Sequence, residues 1–319
     1  MGQAAVAARG EPGMVWIEGG RFRMGSDAHY AEEAPAHPVE VDGFWIDRTP
    51  VTNRRFRQFV EATGHVTIAE KALDPAKYPG ADRAFLQPAS LVFTPPPYRV
   101  TSFANPLVWW QLVHGADWRH PTGPGSSIKG IEDHPVVHVG FADAEAYAAW
   151  AGKTLPTEAE WEFAARGGLD GREFAWGDEL TPGGRHMANT WQGEFPNQNS
   201  LEDRWLRTSP VEAFPPNGYG VRDMIGNVWE WTVDWYLARH EADALASPCC
   251  APRNPRGPGV EGSYDPATPD YPIPRKVLKG GSHLCAPNYC RRYRPAARHP
   301  EPIDTSTGHV GFRCVKRAE

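Results

Sequence analysis

Thirty-two glycines and 32 prolines punctuate this chain of 319 residues, about one breaker every five positions. Glycine loses more backbone freedom on ordering than any other residue, and proline brings no N–H to a helix or a ladder. Long regular elements are therefore excluded over most of the chain. Short strands, short helices and many turns are expected, with the 13 tryptophans supplying core bulk. Charged residues make up 23% and hydrophobic ones 40%, as in an ordinary soluble protein. The net charge of -6 provides no basic field to recruit nucleic acid or anionic lipid. No window approaches the ~18 apolar residues of a membrane span. Residues 4–8 are too short an apolar run for a signal peptide, so a cytoplasmic location is expected.

Local patterns predict the elements. Met14-Val15-Trp16-Ile17 and Arg21-Phe22-Arg23-Met24-Gly25 flank Gly19-Gly20, which reads as a β-hairpin. Residues 39–46 alternate and read as one strand. Thr52 caps a predicted helix from Asn53, with Phe56, Phe59 and Val60 on its apolar face and Gly64 as its stop. Residues 65–133 read as irregular, and residues 136–139 as a short strand. Asp143 is expected to cap a helix through Trp150 that ends near Gly152. The clearest helix follows Thr157, which forms a capping box with Glu160, and closes at Gly167. Residues 170–235 read as loops. Residues 238–275, with eight prolines and Cys249-Cys250, read as an exposed excursion, and residues 310–315 as a final strand. The sum is an α+β single irregular domain of low secondary-structure content over residues 14–319, after a flexible tail over 1–13.

Two constellations carry candidate chemistry. The first is Cys285 and Cys290, two of only five cysteines, beside Gly280-Gly281-Ser282. The spacing alone is balanced between a disulfide, two buried thiols and a metal or redox site. Structural zinc wants four ligands, and His283 is the only nearby addition. Two thiolates alone suit a soft monovalent ion such as Cu(I). Arg291, Arg292 and Arg294 would favour thiolates if they face the pair; a solvated strand face explains any one of them equally well. The second constellation is rich in oxygen: Asn189, Asp203, Asp223 and Glu230, all in segments dense in Asn, Asp and Gly. Such ligands suit Ca²⁺, but turn chemistry accounts for the same composition. No P-loop, Gly-x-Ser-x-Gly elbow or dinucleotide fingerprint is present.

Several runs then point one way. They are Gly19-Gly20-x-Phe22-x-Met24-Gly25, Leu155-Pro156-Thr157-Glu158-Ala159-Glu160-Trp161-Glu162, Trp191-Gln192-Gly193-Glu194-Phe195-Pro196, Gly226-Asn227-Val228-Trp229-Glu230-Trp231 and Gly311-Phe312-Arg313-Cys314. Together with Gly-Gly-Ser-x-x-Cys-x-x-x-x-Cys, they resemble the formylglycine-generating enzymes, also called sulfatase-modifying factors. The resemblance implies a fold related to the C-type-lectin-like group. It implies a copper-dependent, O₂-using oxidation of a cysteine in a sulfatase Cys-x-Pro-x-Arg segment to Cα-formylglycine. By the same resemblance Cys285 and Cys290 hold Cu(I), and Ser282 is the active-site serine. Asn189, Thr190, Asp203 and Trp205 form one structural Ca²⁺ site, and Asp223, Gly226, Val228 and Glu230 a second. The expected partner is an unfolded sulfatase chain, and the expected state a monomer.

The chain also departs from the family's animal members. Ala148 and Ala165 stand where those members carry cysteines, which leaves Cys314 unpaired and fits a bacterial, cytoplasmic type. Asp223 replaces an Asn, and His309 replaces an Asn near the substrate groove. A silent paralogue or lectin-like binding module is expected to lack the cysteine pair. A non-haem iron sulfoxide synthase needs a His-rich motif on a preceding helical domain, for which residues 1–13 leave no room.

Overall fold

The computed structural model describes residues 10–240 and 251–317. Cys249 and Cys250 lie outside the described residues. Among the described residues no element exceeds the 11 residues of α1 (Asn53–Thr63). Thr52 Oγ1 accepts the Arg55 N–H at 3.3 Å, and Gly64 ends the helix in the left-handed region. Phe56, Phe59 and Val60 are buried, as its periodicity predicts.

The expected N-terminal hairpin does not form. β1 (Met14–Ile17) pairs antiparallel with β4 (Phe44–Asp47), while β2 (Gly20–Met24) pairs antiparallel with β3 (His37–Val41). The expected single strand over 39–46 is thus two strands, broken at Asp42-Gly43. The corner explains both differences. Gly19 takes φ +74°, and a Cβ there would meet Val41 O at 2.4 Å. The two chain reversals stack on one another and pass both strands from one sheet to the next.

Other short elements follow the same non-local logic. Residues 65–133 contain an antiparallel pair, β5 (Ala89–Phe93) and β6 (Trp110–His114). Residues 136–139 form no strand, because His138 adopts φ +59° and its ring bonds Ser90 Oγ (2.6 Å) and Pro121 O (2.9 Å). In α2 (Phe141–Trp150) Gly140 takes the N-cap position. Asp143 lies three residues inside and accepts the Gly140 N–H at 2.9 Å. The final run splits into β10 (Val310–Gly311), parallel to β7 (Trp229–Trp235), and β11 (Val315–Arg317), antiparallel to β4. Between them Arg313 turns fully inward.

The central sheet has the order β10-β7-β8-β9, with β8 (Arg275–Lys279) antiparallel to β7 and β9 (Arg298–Pro302). Against it lies α3 (Glu158–Arg166), whose Thr157–Glu160 capping box and Gly167 stop are present as expected. Every residue of this helix is buried, its charged ones included. Glu162 accepts from Lys279 Nζ (3.0 Å), Arg166 Nη2 (2.6 Å) and the Gly25 N–H (2.8 Å). Glu158 is held at 2.8 Å by both Nε and Nη2 of Arg298. No helix among the described residues is long and apolar enough to cross a membrane.

This lattice sets a prediction. Burial alone would raise the Glu162 carboxyl, but Lys279 and Arg166 reverse that and hold it at about 2. A carboxylate depressed in the folded state stabilises above its unfolded value, and that contribution is lost as pH falls through the folded value. The Glu162 contribution, read as the difference in urea midpoint between the parent and Glu162→Gln, should therefore be constant from neutrality to about pH 4.5 and shrink below it. Lys279→Met takes one cation from two buried carboxylates, leaving Arg166 on Glu162 and Arg298 on Glu158, and should cost about 3 kcal/mol at neutral pH, read by urea denaturation.

Candidate functional site

The connection between β8 and β9 carries the cysteines. Immediately after Lys279 come Gly280 (φ +94°) and Gly281 (φ +71°). A Cβ at Gly280 would meet Met224 O at 2.9 Å and the Trp161 ring at the same distance; one at Gly281 would meet Arg292 O at 2.9 Å. Only glycine fits this pivot, which takes the chain off the sheet edge into a tight loop. Cys285 N–H then bonds Ser282 O (2.9 Å), and Cys290 N–H bonds Ala286 O (3.0 Å). These turns bring the two Sγ atoms to 3.0 Å. A disulfide would need about 2.05 Å, and both thiols are free.

The pair is asymmetric. Cys285 is 2% exposed, and Cys290 is half-buried. Burial, reinforced by the neighbouring sulfur, pushes the Cys285 thiol well up. The hydrogen bond from Cys285, and then the charge of Arg292, hold Cys290 down at about 7 against burial. The outer sulfur is thus the one that gives up its proton more readily. Ser282 donates its N–H to Cys285 Sγ at 3.4 Å, and its Oγ accepts the Leu284 N–H at 3.2 Å. Ser282 thus braces the loop from both ends.

An aromatic wall stands beside the sulfurs. Tyr289 stacks on Phe195 at 4.2 Å and 8°, with Trp109 edge-on at 5.6 Å and Phe103 at 5.2 Å. Trp191 N–H bonds Cys285 O at 3.0 Å, so the Trp191–Pro196 motif floors the loop. Trp109 and Phe103 come from the stretch read as irregular, and sequence reasoning gave them no role there. Of the arginines after Cys290, Arg291 stays exposed, while Arg292 is half-buried and Arg294 buried. Arg291 pairs with Glu173 at 2.5 Å, Arg292 with Glu32 at 2.5 Å, and Arg294 with Glu33. Glu32 and Glu33 lie some 260 residues away, and no local signal joins them to this loop.

The oxygen-rich residues form two adjoining groups. Asn189 Nδ2 donates to Arg207 O at 2.9 Å, while its buried Oδ1 has no donor. Asp203 Oδ1 accepts the Trp205 N–H at 2.9 Å, its Oδ2 has no donor, and burial raises its carboxyl. Asp223, at φ +52°, leaves both carboxylate oxygens buried without a donor, and burial pushes it up to about 8. Buried acceptors left unpaired in this way are rare and costly, and a hard cation relieves them. Glu230 differs: its oxygens accept from Arg313 Nε (2.7 Å), Arg313 Nη2 (2.8 Å) and Trp161 Nε1 (2.7 Å). Of the second group's carboxylates, Asp223 alone brings wholly free oxygens. Gly226 links the groups to the pivot: its N–H bonds Gly280 O at 2.9 Å, and a Cβ there would meet Asn189 O at 2.2 Å.

Among the described residues no cluster of three His, Cys, Asp or Glu side chains is arranged to hold a metal. The sulfur pair therefore offers a two-ligand site, too few for structural zinc and suited to a soft monovalent ion. The oxygen groups depend on amide and carbonyl oxygens beside single carboxylates, as calcium sites do.

Comparison with known proteins gives the lineage. The Sulfatase-modifying factor enzyme 1-like domain profile matches residues 2–318. The formylglycine-generating enzyme of Mycobacterium tuberculosis is 53% identical over 302 residues, covering 95% of this chain and 97% of that protein. The inactive Cα-formylglycine-generating enzyme 2 of Bos taurus is 46% identical over 310 residues, covering 96% and 88%. Among solved structures, PvdO from Pseudomonas aeruginosa shares the fold, with a TM-score of 0.59 and 23% identity over 95% of this chain and 93% of that one. With its profile matched from end to end, the chain belongs to the sulfatase-modifying factor family.

Proposed function

We propose that this chain is an active formylglycine-generating oxidase. It converts a cysteine within an unfolded sulfatase Cys-x-Pro-x-Arg segment to Cα-formylglycine, using O₂ and copper. The observation that carries this reading is the unbonded pair of sulfurs 3.0 Å apart at the mouth of an aromatic-walled site. Identity alone does not separate active from inactive relatives, since both kinds lie near half identity to this chain. A silent binding module has no use for two sulfurs so placed.

Cys285 and Cys290 would hold Cu(I), which supplies the one-electron chemistry that activates O₂. The protein's own residues do the rest. Cys290, the less buried of the two, is the sulfur that a substrate cysteine would meet first. Phe195 and Trp109, both buried, pack behind Tyr289 and exclude water, and Tyr289 with the exposed Phe103 would present apolar surface to an extended peptide. Ser282 fixes the depth of Cys285. Taking a Cβ–thiol to the aldehyde level removes two electrons, whereas reducing O₂ to water consumes four. The remaining two come from two external thiols, which become a disulfide, and sulfide leaves on hydrolysis.

Asn189, Thr190, Asp203 and Trp205 would hold one structural Ca²⁺. Asp223, with Gly226, Val228 and Glu230, would hold a second. Both brace Gly226 against Gly280 and so stabilise the pivot. Free thiols at Cys285, Cys290 and Cys314 favour a reducing compartment such as the cytoplasm, with the chain acting as a monomer before the sulfatase folds.

Three results are expected. With Cu(I)-loaded protein, a Cys-x-Pro-x-Arg peptide should show the mass change to formylglycine, and Cys290→Ser should lower kcat/KM by about 100-fold or more; normal turnover by that variant refutes the reading. In the metal-free protein, iodoacetamide should label Cys290 at lower pH than Cys285, with both rates rising as pH rises. EGTA should lower Tm by several degrees, and excess Ca²⁺ should restore it.

A further inference from the structure

The cleft between the end of β4, the first turn of α1 and residues 210–212 shares no residue with the cysteine loop or the oxygen-rich groups. It measures about 660 Å³, and two hydroxyls and two guanidiniums line it without acceptors for their hydrogens. Thr49 is 5% exposed, and its hydroxyl has no hydrogen-bond partner among the described residues. Thr52 is 6% exposed; its Oγ1 accepts the Arg55 N–H at 3.3 Å, while its own O–H finds no acceptor there. The side chains of Arg48 and Arg55 likewise bond no carboxylate or carbonyl among the described residues. Arg55 is held close to the cleft wall, since a Cβ at Gly13 would meet its Nη2 at 3.3 Å, and Gly13 O takes the Arg48 N–H at 3.0 Å.

The neighbouring donors are already spent. Arg54 grips Asp133 through Nε (3.0 Å) and Nη2 (3.1 Å). In the first turn of α1 the Asn53 N–H bonds His134 O and the Arg54 N–H bonds Glu132 O, each at 2.9 Å. The helix end therefore adds its dipole and none of these N–H groups, and the donors on offer are side chains. A shortage of acids does not explain the two lone guanidiniums, because the chain carries 39 Asp and Glu against 33 Lys and Arg. Glu212 lines the same cleft, stays exposed and bonds neither of them. A guanidinium can only donate, and a buried hydroxyl left without a partner is costly. Such donors around one cleft call for a ligand with several lone pairs and negative charge. A tetrahedral oxyanion accepts from every direction, whereas a carboxylate accepts within one plane. With Arg54 and Asp133 cancelling, two guanidiniums against Glu212 leave one positive charge to attract it.

We propose that this cleft binds a tetrahedral oxyanion of the phosphate class, paired by Arg48 and Arg55 and hydrogen-bonded by the hydroxyls of Thr49 and Thr52. Such binding is independent of the cysteine chemistry proposed above. Inorganic phosphate titrated into the full chain at constant ionic strength should raise Tm along a saturating curve, and chloride should not. Arg55→Gln should weaken phosphate by about tenfold, and Arg48→Gln, at an exposed position, by about threefold. Glu212→Gln removes an opposing charge and should tighten phosphate by about twofold.

Thr49→Val decides between a built site and a diffuse positive field. It keeps the shape of the side chain and removes its donor. Without phosphate its Tm should equal or exceed the parent's, and its phosphate affinity should fall by about fivefold. A diffuse field leaves Thr49→Val at parental affinity, and that result overturns the oxyanion site. So does a Tm gain that chloride reproduces at equal ionic strength, and so does the absence of any saturable gain. If Arg55→Gln fails to fold, the opposite changes expected of Glu212→Gln and Thr49→Val still decide. Phenyl phosphate identifies the source of the oxyanion. Tighter binding than inorganic phosphate assigns the cleft to an ester whose body lies along Pro210 and Val211, equal binding assigns it to the free ion, and either result upholds the site.

Discussion

The buried ion lattice between α3 and the central sheet is the constraint on which the site depends. Glu158 and Glu162 lie one turn apart on a helix with no exposed face. They stay charged there because Lys279 closes β8 and Arg298 opens β9 directly opposite, with Arg166 of the same helix also on Glu162. Those two cations are also the two ends of the connection that carries the cysteines. The same bonds that make α3 burial tolerable therefore fix where the loop leaves the sheet and where it returns. A buried lattice of this kind is weak evidence for net stability, since apolar packing could replace it. What it provides is register: a β8 shifted by one residue would put Lys279 on the opposite face and strand both carboxylates.

A second constraint acts through Glu230 and Arg313. Arg313 bonds Glu230, Asp47 O, Arg222 O and Asp223 O, so one fully buried side chain ties β7, β4 and the Asp223 turn together. This explains why the final segment cannot remain one strand, because the residue that would continue it is drawn inward. It also explains why Asp223 is left with free oxygens. The cation nearest to it bonds its main-chain carbonyl and gives its side-chain charge to Glu230. A bound hard cation would complete the balance that Arg313 leaves open.

Legibility in the sequence followed the range of the interactions. α1 and α3 were readable because Thr52, Gly64, Thr157, Glu160 and Gly167 act within four residues of the backbone groups they satisfy. The N-terminal hairpin misread has the opposite cause. Gly19-Gly20 does mark a reversal, but the choice of pairing partner lies with the Asp42-Gly43 corner, more than 20 residues away. β5 and β6 were invisible because each is five residues long between prolines and finds its partner across a long excursion. The same division holds in the site. The sulfur pair, its glycine pivot and the oxygen-rich residues sit in contiguous motifs and could be named. Glu32, Trp109 and Phe103 reach it from distant segments that carry no motif of their own.

The depth difference between the two sulfurs gives the site a direction. Cys285 is sealed into the main hydrophobic core, with Cys290 packed against it, and its proton is the harder to remove. Cys290 lies at the surface edge with Arg292 beside it. The pair is thus graded in depth: the inner sulfur is held by the core and by the Ser282 N–H, while the outer one, half-buried, is the sulfur that a group arriving from solvent meets first.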